Sequence, residues 1–143
     1  MPDQPSVLVC VANPSSCRRV AEVGMAVAEK EQLPIKVVSI LPPGPIGPEE
    51  SQTIQQLHNI VRRCGAELTV FFNDSPALMA AVYARQCDAA YLVCGIPGGD
   101  NSPKATPFVE TLHELLPTVA FTLVDDDNRV VELPAAQMAA VDS

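Results

Sequence analysis

The chain of 143 residues lacks several patterns that would assign it to a class at once. It contains no run of about 18 apolar residues, so no segment is expected to span a membrane. No basic region precedes an apolar stretch near Met1, so we expect no secretory signal peptide. None of the five cysteines is separated from another by two residues, the spacing of zinc and redox motifs. The length fits a single domain, and the cysteine usage favours the reducing cytoplasm.

Positive charge is also scarce. Nine basic residues face 17 acidic ones, which gives a formal net charge of −8. The basic residues are scattered, and Arg18 with Arg19 and Arg62 with Arg63 are the only adjacent pairs. Such a surface repels nucleic acid and anionic lipid, so we expect neither nucleic acid nor a membrane as partner.

Apolar runs predict the strands. They are nearly continuous in Val, Ile, Leu and Cys, which is typical of strands buried on both faces of a parallel sheet. Their starts lie 28, 33, 21 and 30 residues apart, enough for a crossover helix each time. The five predicted strands are 7–12, 35–41, 68–72, 89–94 and 119–124. A short sixth strand, 130–133, is predicted to run antiparallel to the fifth after a turn at 125–128.

The segments between the strands carry helical periodicity. Val20, Val23 and Val27 recur at three and four residues, and Leu78 and Val82 are four apart. The predicted fold is therefore α/β, a five-stranded parallel sheet with helices on both faces and a short C-terminal antiparallel strand. We assign this domain to residues 1–134 and a C-terminal tail to residues 135–143.

Cap signals precede three of the predicted helices. Ser15 or Ser16 is the expected cap of the first helix. Ser75 and Thr106 are each followed by proline, so they are expected to cap the third and fourth.

Ligands of open parallel sheets bind in a crevice beyond the carboxyl ends of the strands, where the winding reverses. We expect strands one and four to be neighbours there, which brings the loops 12–16 and 95–104 together. The first loop begins a helix, whose free N–H groups and dipole favour anions, although an ordinary cap is the preferred interpretation of its serines. The candidate ligand-binding residues are Ala12, Asn13, Ser15, Ser16, Ile40, Gly95, Gly98, Gly99, Lys104 and Thr106.

The middle of the chain resembles the universal stress protein family. That family reads a small residue, proline and alanine after a strand, then a helix, then Asp before an apolar strand ending in glycine. Here residues 73–77 read Asn-Asp-Ser-Pro-Ala, Asp88 follows the helix, and residues 91–95 read Tyr-Leu-Val-Cys-Gly. The similarity covers about residues 5–125, and residues 7–16 also resemble the stress-protein module of potassium-sensing histidine kinases. Both resemblances imply an adenine-nucleotide alpha-hydrolase-like α/β sandwich that commonly dimerises, usually through its last long strand.

Nucleotide-binding members of that family carry Gly-x2-Gly, nine further residues, and then Gly-Ser or Gly-Thr. Gly95 and Gly98 match the first half of this motif. Nine residues later stand Phe108 and Val109, and no glycine follows Gly99 anywhere in the chain. The second half of the motif is therefore missing, and the bulky side chain of Phe108 would crowd a phosphate at that position.

The same members place an Asp at the end of the first strand, where this chain has Ala12 and Asn13 and no acidic residue between Asp3 and Glu22. The resemblance thus implies a universal-stress-type regulatory or binding module with a degenerate nucleotide site. We expect it to be non-enzymatic and homodimeric, with no cofactor, ATP disfavoured, and a protein partner or a small ligand left open. The alternative is an ATP-binding switch with slow or no hydrolysis.

One cysteine is a candidate reactive thiol. Cys17 is predicted in the first turn of the first helix beside Arg18 and Arg19. A helix N-terminus and neighbouring cations lower the pKa of a thiol, so Cys17 is the cysteine expected to react first of the five. No resolving cysteine is visible beside it, so the preferred interpretation is an unremarkable thiol on a surface turn. Cys10 and Cys94 lie inside apolar strands and are interpreted as small core residues.

No catalytic or metal-binding set is visible. His58 and His113 lie mid-helix, far apart, with no cysteine or carboxylate at ligand spacing, and are interpreted as surface histidines. The acidic segment 125–127 lacks the alternating ligands and the glycine of a calcium loop, and is interpreted as a solvated turn. We expect no metal and no enzymatic activity.

Overall fold

The computed structural model describes residues 5–96, 106–125 and 127–136 of the chain. The strands are β1 (Ser6–Cys10), β2 (Ile35–Leu41), β3 (Leu68–Phe72), β4 (Ala89–Gly95), β5 (Ala120–Val124) and β6 (Val130–Leu133). The helices are α1 (Pro14–Glu31), α2 (Pro48–Arg63), α3 (Pro76–Gln86) and α4 (Pro107–Leu115). Within these segments, no helix combines the length and the apolar character that crossing a membrane requires.

The six strands form one sheet in the order β3-β2-β1-β4-β5-β6. Strands β1 to β5 are parallel to one another, and β6 is antiparallel to β5. The chain winds outward from β1 through β2 to β3, returns to β4 beside β1, and then winds the other way. The predicted α/β fold is confirmed, including its short antiparallel strand, and the winding reverses between β1 and β4.

Both faces of the sheet are covered. On β1, Val7 and Val9 point to one face and pack in a cluster with Leu57 of α2. Leu8 points to the other face and packs with Ala80 of α3 and Leu112 of α4. Residues 7–9 are fully buried, as expected for a central parallel strand between two helical layers.

Helix α1 packs directly on β1 at Gly24. Gly24 is buried at their contact, and a Cβ atom built on it would come closer than 3.0 Å to Cγ2 of Val9. The absence of a side chain at Gly24 therefore allows α1 to approach the sheet at this distance.

Helix α3 buries a different face from the one that the sequence suggested. Leu78 and Val82, the apolar pair that predicted the helix, are 57% and 42% exposed. Ala80, Ala81 and Ala84 are buried against the sheet instead. The helix is confirmed, but the buried face expected for it is wrong, because the small alanine side chains let α3 lie close to the sheet.

The predicted caps of α3 and α4 have different outcomes. Thr106 caps α4 as expected, since its Oγ1 accepts a hydrogen bond from the N–H of Val109 at 3.3 Å. Ser75 stands at the cap position of α3, but its side chain makes no capping bond. Its own N–H donates to Oδ1 of Asn73 at 2.7 Å, so an Asn turn precedes this helix.

Candidate functional site

A crevice of about 430 Å³ opens at the carboxyl ends of β1 and β4. Strands β1 and β4 are hydrogen-bonded neighbours, so the two predicted loops do begin at the same edge of the sheet. The volume falls within the range of about 300–1,000 Å³ typical of small-molecule pockets. The crevice therefore lies where ligands of open parallel sheets bind.

The sheet side of the crevice is apolar. It is formed by Cys10 of β1, Val38 and Ile40 of β2 and Cys94 of β4, with Phe108 of α4 lining it as well. Val38 and Cys94 are buried, whereas Cys10 and Ile40 are partly exposed. The predicted residue Ile40 is therefore part of the crevice. An apolar surface of this kind favours contact with the flat or hydrocarbon part of a ligand.

The polar side of the crevice comes from the start of α1. Asn13, Ser16 and Arg19 line it, together with the exposed residue Ala12. Three predicted site residues, Ala12, Asn13 and Ser16, are thus brought together. Ala12 stands where the resemblance places the Asp of nucleotide-binding members, so that carboxylate is absent from this wall.

Asn13 caps α1, rather than Ser15 or Ser16 as predicted. Pro14 takes the first helical position, which holds Asn13 in an extended conformation at φ −124° and ψ 127°. Oδ1 of Asn13 accepts the N–H of Ser15 at 3.0 Å. The carbonyl oxygen of Asn13 accepts the N–H groups of Ser16 at 3.1 Å and Cys17 at 2.9 Å.

This cap occupies the donors that were expected to bind an anion. Pro14 has no N–H, and the next three N–H groups all donate to Asn13. The expectation of free N–H groups at the start of α1 is therefore wrong. Any anion in the crevice must be bound by side chains or by residues outside this turn.

The two adjacent arginines point in different directions. Nε of Arg18 donates to Oε2 of Glu22 at 3.1 Å on the exposed side of α1. Ser15 lies on that side too, in a separate pocket with Arg18, and not in the crevice. Arg19 lines the crevice and is its one basic side chain among the described residues. The structure thus separates Arg19 from Arg18, which the sequence could not do.

Gly95 lines the crevice at the end of β4. A Cβ atom added there would lie 3.2 Å from Cγ2 of Val20 and 3.7 Å from the carbonyl oxygen of Val124. Close packing against α1 therefore favours a small residue at this position, independent of any phosphate.

The remaining predicted residues of the second loop are divided. Gly98, Gly99 and Lys104 lie outside the described residues. Thr106 is described, caps α4 and does not line the crevice.

The environment expected for Cys17 is wrong. Its side chain is fully buried, and burial together with the neighbouring Cys64 raises the pKa of its thiol to about 11. Cys17 occupies the first turn of α1 but points into the packed layer between α1 and the sheet. Burial outweighs the helix terminus and the nearby arginines, so the structure does not support Cys17 as the reactive thiol.

Two other expectations are changed by local contacts. His113 is half-buried: its ring packs edge-to-face on Phe121 at 5.3 Å, and Nε2 lies 3.0 Å from the carbonyl oxygen of Pro134. The carboxylate of Asp125 is buried and accepts the N–H groups of Asp127 and Arg129 at 2.9 and 2.8 Å. Both residues therefore stabilise the β5–β6 region. Among the described residues, no three His, Cys, Asp or Glu side chains could hold a metal ion together.

Sequence reasoning missed several crevice residues, among them Cys10, Val38, Cys94 and Pro76. The common signal of these four is position, because each lies near the carboxyl end of a strand or at the start of the helix after one. Cys10 and Cys94 do pack against the core as predicted, and they also line the crevice.

No family model matches the chain, and no curated protein matches it in sequence. Its fold matches a universal stress protein from Archaeoglobus fulgidus, with a TM-score of 0.62 and 18% identity, over 85% of this chain and 97% of that one. A universal stress protein from the same organism in complex with dAMP matches with a TM-score of 0.62 and 18% identity, over 87% of this chain and 98% of that one. A universal stress protein in complex with cAMP matches with a TM-score of 0.58 and 13% identity, over 87% of this chain and 98% of that one. The resemblance to the kinase module stays a prediction, whereas the chain has the universal stress protein fold.

Proposed function

We propose that this chain is a non-enzymatic, universal-stress-type regulatory module that binds a mononucleotide in the crevice between β1 and β4. The observation that carries the proposal is the composition of the crevice, an apolar sheet side facing a polar side that contains Arg19. An apolar wall suits the base of a nucleotide, and one guanidinium suits one phosphate group. Two proteins of the same fold are bound to mononucleotides, dAMP and cAMP.

Charge favours one phosphate over three. The chain carries a net charge of −8, so each further negative charge on a ligand is opposed by the field of the protein. The first turn of α1 offers no open N–H group to compensate, because Asn13 already accepts its donors. The sequence also lacks a glycine after Gly99, so the second half of the family's phosphate motif is missing.

The absence of catalysis is part of the proposal. Among the described residues that line the crevice there is no histidine and no carboxylate to act as a general base. Burial raises the pKa of both lining thiols, that of Cys94 to about 12, so neither is a nucleophilic thiolate near neutral pH. Incubation with ATP and magnesium should release no phosphate above a protein-free control.

The second candidate function is an ATP-binding switch, favoured by Gly95 and Gly98 in the first half of the family motif. Calorimetry separates the two candidates by comparing AMP, cAMP and ATP with magnesium on the same protein. The mononucleotide proposal expects heat with AMP or cAMP and weaker or no binding of ATP. Binding of ATP more tightly than of either mononucleotide would support the switch instead.

Adjacent arginines give a matched pair of variants for this experiment. Arg19→Ala should weaken binding of AMP roughly tenfold, because a charge-assisted hydrogen bond is lost. Arg18→Ala removes the same charge from the outward face of α1 and should change the affinity less than twofold. Adenosine, which lacks the phosphate, should bind both variants alike. Equal loss of AMP binding in the two variants would show that the affinity depends on the net charge of the protein and not on contact between Arg19 and the phosphate.

A homodimer is the second part of the proposal. β6 covers the outer edge of β5, so pairing through the last long strand is not open to this chain. β6 itself forms an edge of the sheet, and its residue Val130 is 48% exposed. Light scattering across a concentration series should report twice the chain mass, and a constant monomer mass would contradict the dimer.

The cytoplasmic location stays a prediction.

A further inference from the structure

Two thiols stand side by side in the crevice. Cys10 of β1 and Cys94 of β4 are direct register partners in neighbouring parallel strands, which lie about 4.8 Å apart. Cys94 belongs to the cluster on the α3–α4 face of the sheet, and Cys10 packs against the same cluster. Both side chains therefore point to one face, both line the crevice, and both cysteines are free.

A direct disulfide does not suit this pair. Disulfide geometry requires Cβ atoms about 3.8 Å apart, whereas register partners on one face of a sheet keep theirs near the strand spacing. An atom bonded to both sulfurs spans a wider gap, since a metal–sulfur bond is about 2.3 Å long. The spacing thus favours a bridged dithiol over a disulfide.

The surroundings select the bridging atom. The sheet side of the crevice is apolar, and burial raises the pKa of both thiols, so a charged dithiolate complex is disfavoured. Zinc requires four ligands, and the described residues supply no third His, Cys, Asp or Glu beside these sulfurs. A trivalent metalloid with one organic substituent needs only two sulfurs and forms an uncharged product.

We propose that Cys10 and Cys94 form a dithiol site that binds a trivalent organic metalloid of the arsenic(III) class through both sulfur atoms. With phenylarsine oxide as the probe, two S–H bonds and the arsenic–oxygen bond break, and two As–S bonds form. The two protons leave with the oxygen as one molecule of water, and no atom changes oxidation state. Cys10, which is partly exposed, receives the arsenic first, and the buried Cys94 closes the ring.

A second pair of cysteines serves as the internal control. Cys17 of α1 lies near Cys64, which follows α2, closely enough for Cys64 to raise the pKa of the Cys17 thiol. Cys17 is fully buried, and it does not line the crevice. This pair should therefore not capture the probe.

Native mass spectrometry with phenylarsine oxide tests the site. Wild-type protein should gain one phenylarsenic group minus two hydrogens. The adduct should survive an excess of a monothiol such as mercaptoethanol and be removed by dimercaptopropanol. Cys10→Ala and Cys94→Ala should each lower the retained fraction at least roughly tenfold, because one-point attachment loses the advantage of intramolecular bonding. The double variant Cys17→Ala/Cys64→Ala should retain the adduct, and its loss there would overturn the assignment.

A protection experiment on wild-type protein keeps the proposal testable if a core variant does not fold. The protein is treated with phenylarsine oxide, unfolded, and alkylated with iodoacetamide. Fragment spectra should then show Cys10 and Cys94 unmodified and the other three cysteines alkylated. Alkylation of all five, or protection of Cys17 with Cys64, would overturn the proposal.

Discussion

Substitution of Gly24 by alanine tests the packing that positions the polar side of the crevice. Helix α1 and its cap supply Ser16, Arg19 and Asn13, and the place of the helix over the sheet depends on contact between Gly24 and Val9. The added methyl would come closer than 3.0 Å to Cγ2 of Val9 and within 3.6 Å of Cδ1 of Ile35. Because Val9 is fully buried, it has no open space to turn into.

Two effects of opposite sign decide the magnitude. Replacing glycine by alanine inside a helix favours folding by about 1 kcal/mol. Overpacking a closely packed core costs about 1–3 kcal/mol. Since the overlap is with a fully buried β-branched side chain, we expect a cost at the upper end of this range, about 2–3 kcal/mol. Gly24→Ala should therefore lose about 1–2 kcal/mol of unfolding free energy.

Urea unfolding followed by circular dichroism measures this loss, and Val9→Ala completes a double-mutant cycle. Removing Cγ2 of Val9 relieves the overlap. The double variant should therefore lose about 1 kcal/mol less unfolding free energy than the two single variants lose together. Ala26→Gly, at an exposed position of α1, is the control and should lose about 1 kcal/mol through helix propensity alone. An alanine variant at Gly24 as stable as wild type would refute this account of the packing.

Three further predictions concern the cap, a thiol and a carboxylate. Asn13→Ala should cost about 1 kcal/mol in urea unfolding, and the exposed Ser15→Ala clearly less; equal losses would contradict the assigned cap. Iodoacetamide should modify native Cys17 more slowly than Cys64, because Cys17 is fully buried with a thiol pKa raised to about 11; faster labelling of Cys17 would restore the sequence-based prediction. Burial would raise the pKa of Asp125, but hydrogen bonds from Arg129 and Asp127 outweigh it and hold that pKa below its ordinary value of 3.8. The stability that this carboxylate contributes is therefore present above pH 3.8 and is lost on further acidification. Asp125→Asn should remove this loss, so the urea midpoint of the variant should fall less steeply at acid pH than that of the wild type.

The strands were predictable because burial on both faces leaves continuous apolar runs. All six strands lie within two residues of their predicted bounds, and the strand spacing correctly required helical crossovers. The face of α3 was not predictable in the same way. Apolar periodicity marked Leu78 and Val82, but the sheet packs against Ala80 and Ala84. Small side chains at the contact allow the helix to lie closer to the sheet.

The location of the crevice followed from topology, whereas its composition did not. Pairing of Cys10 with Cys94 depends on the register between strands that are distant in sequence, which no local pattern records. Arg18 and Arg19 are adjacent in sequence, yet successive residues of a helix point about 100° apart, so only the packing of α1 decides which one faces the crevice. The cap at Asn13 had a readable signal in the proline that follows it.

Calorimetric titration of the wild-type protein with AMP and with ATP plus magnesium tests the central claim most directly. A crevice with an apolar wall and one lining guanidinium should bind AMP more tightly than ATP. Tighter binding of ATP, or no heat with AMP, cAMP or adenosine at millimolar concentration, would contradict the claim.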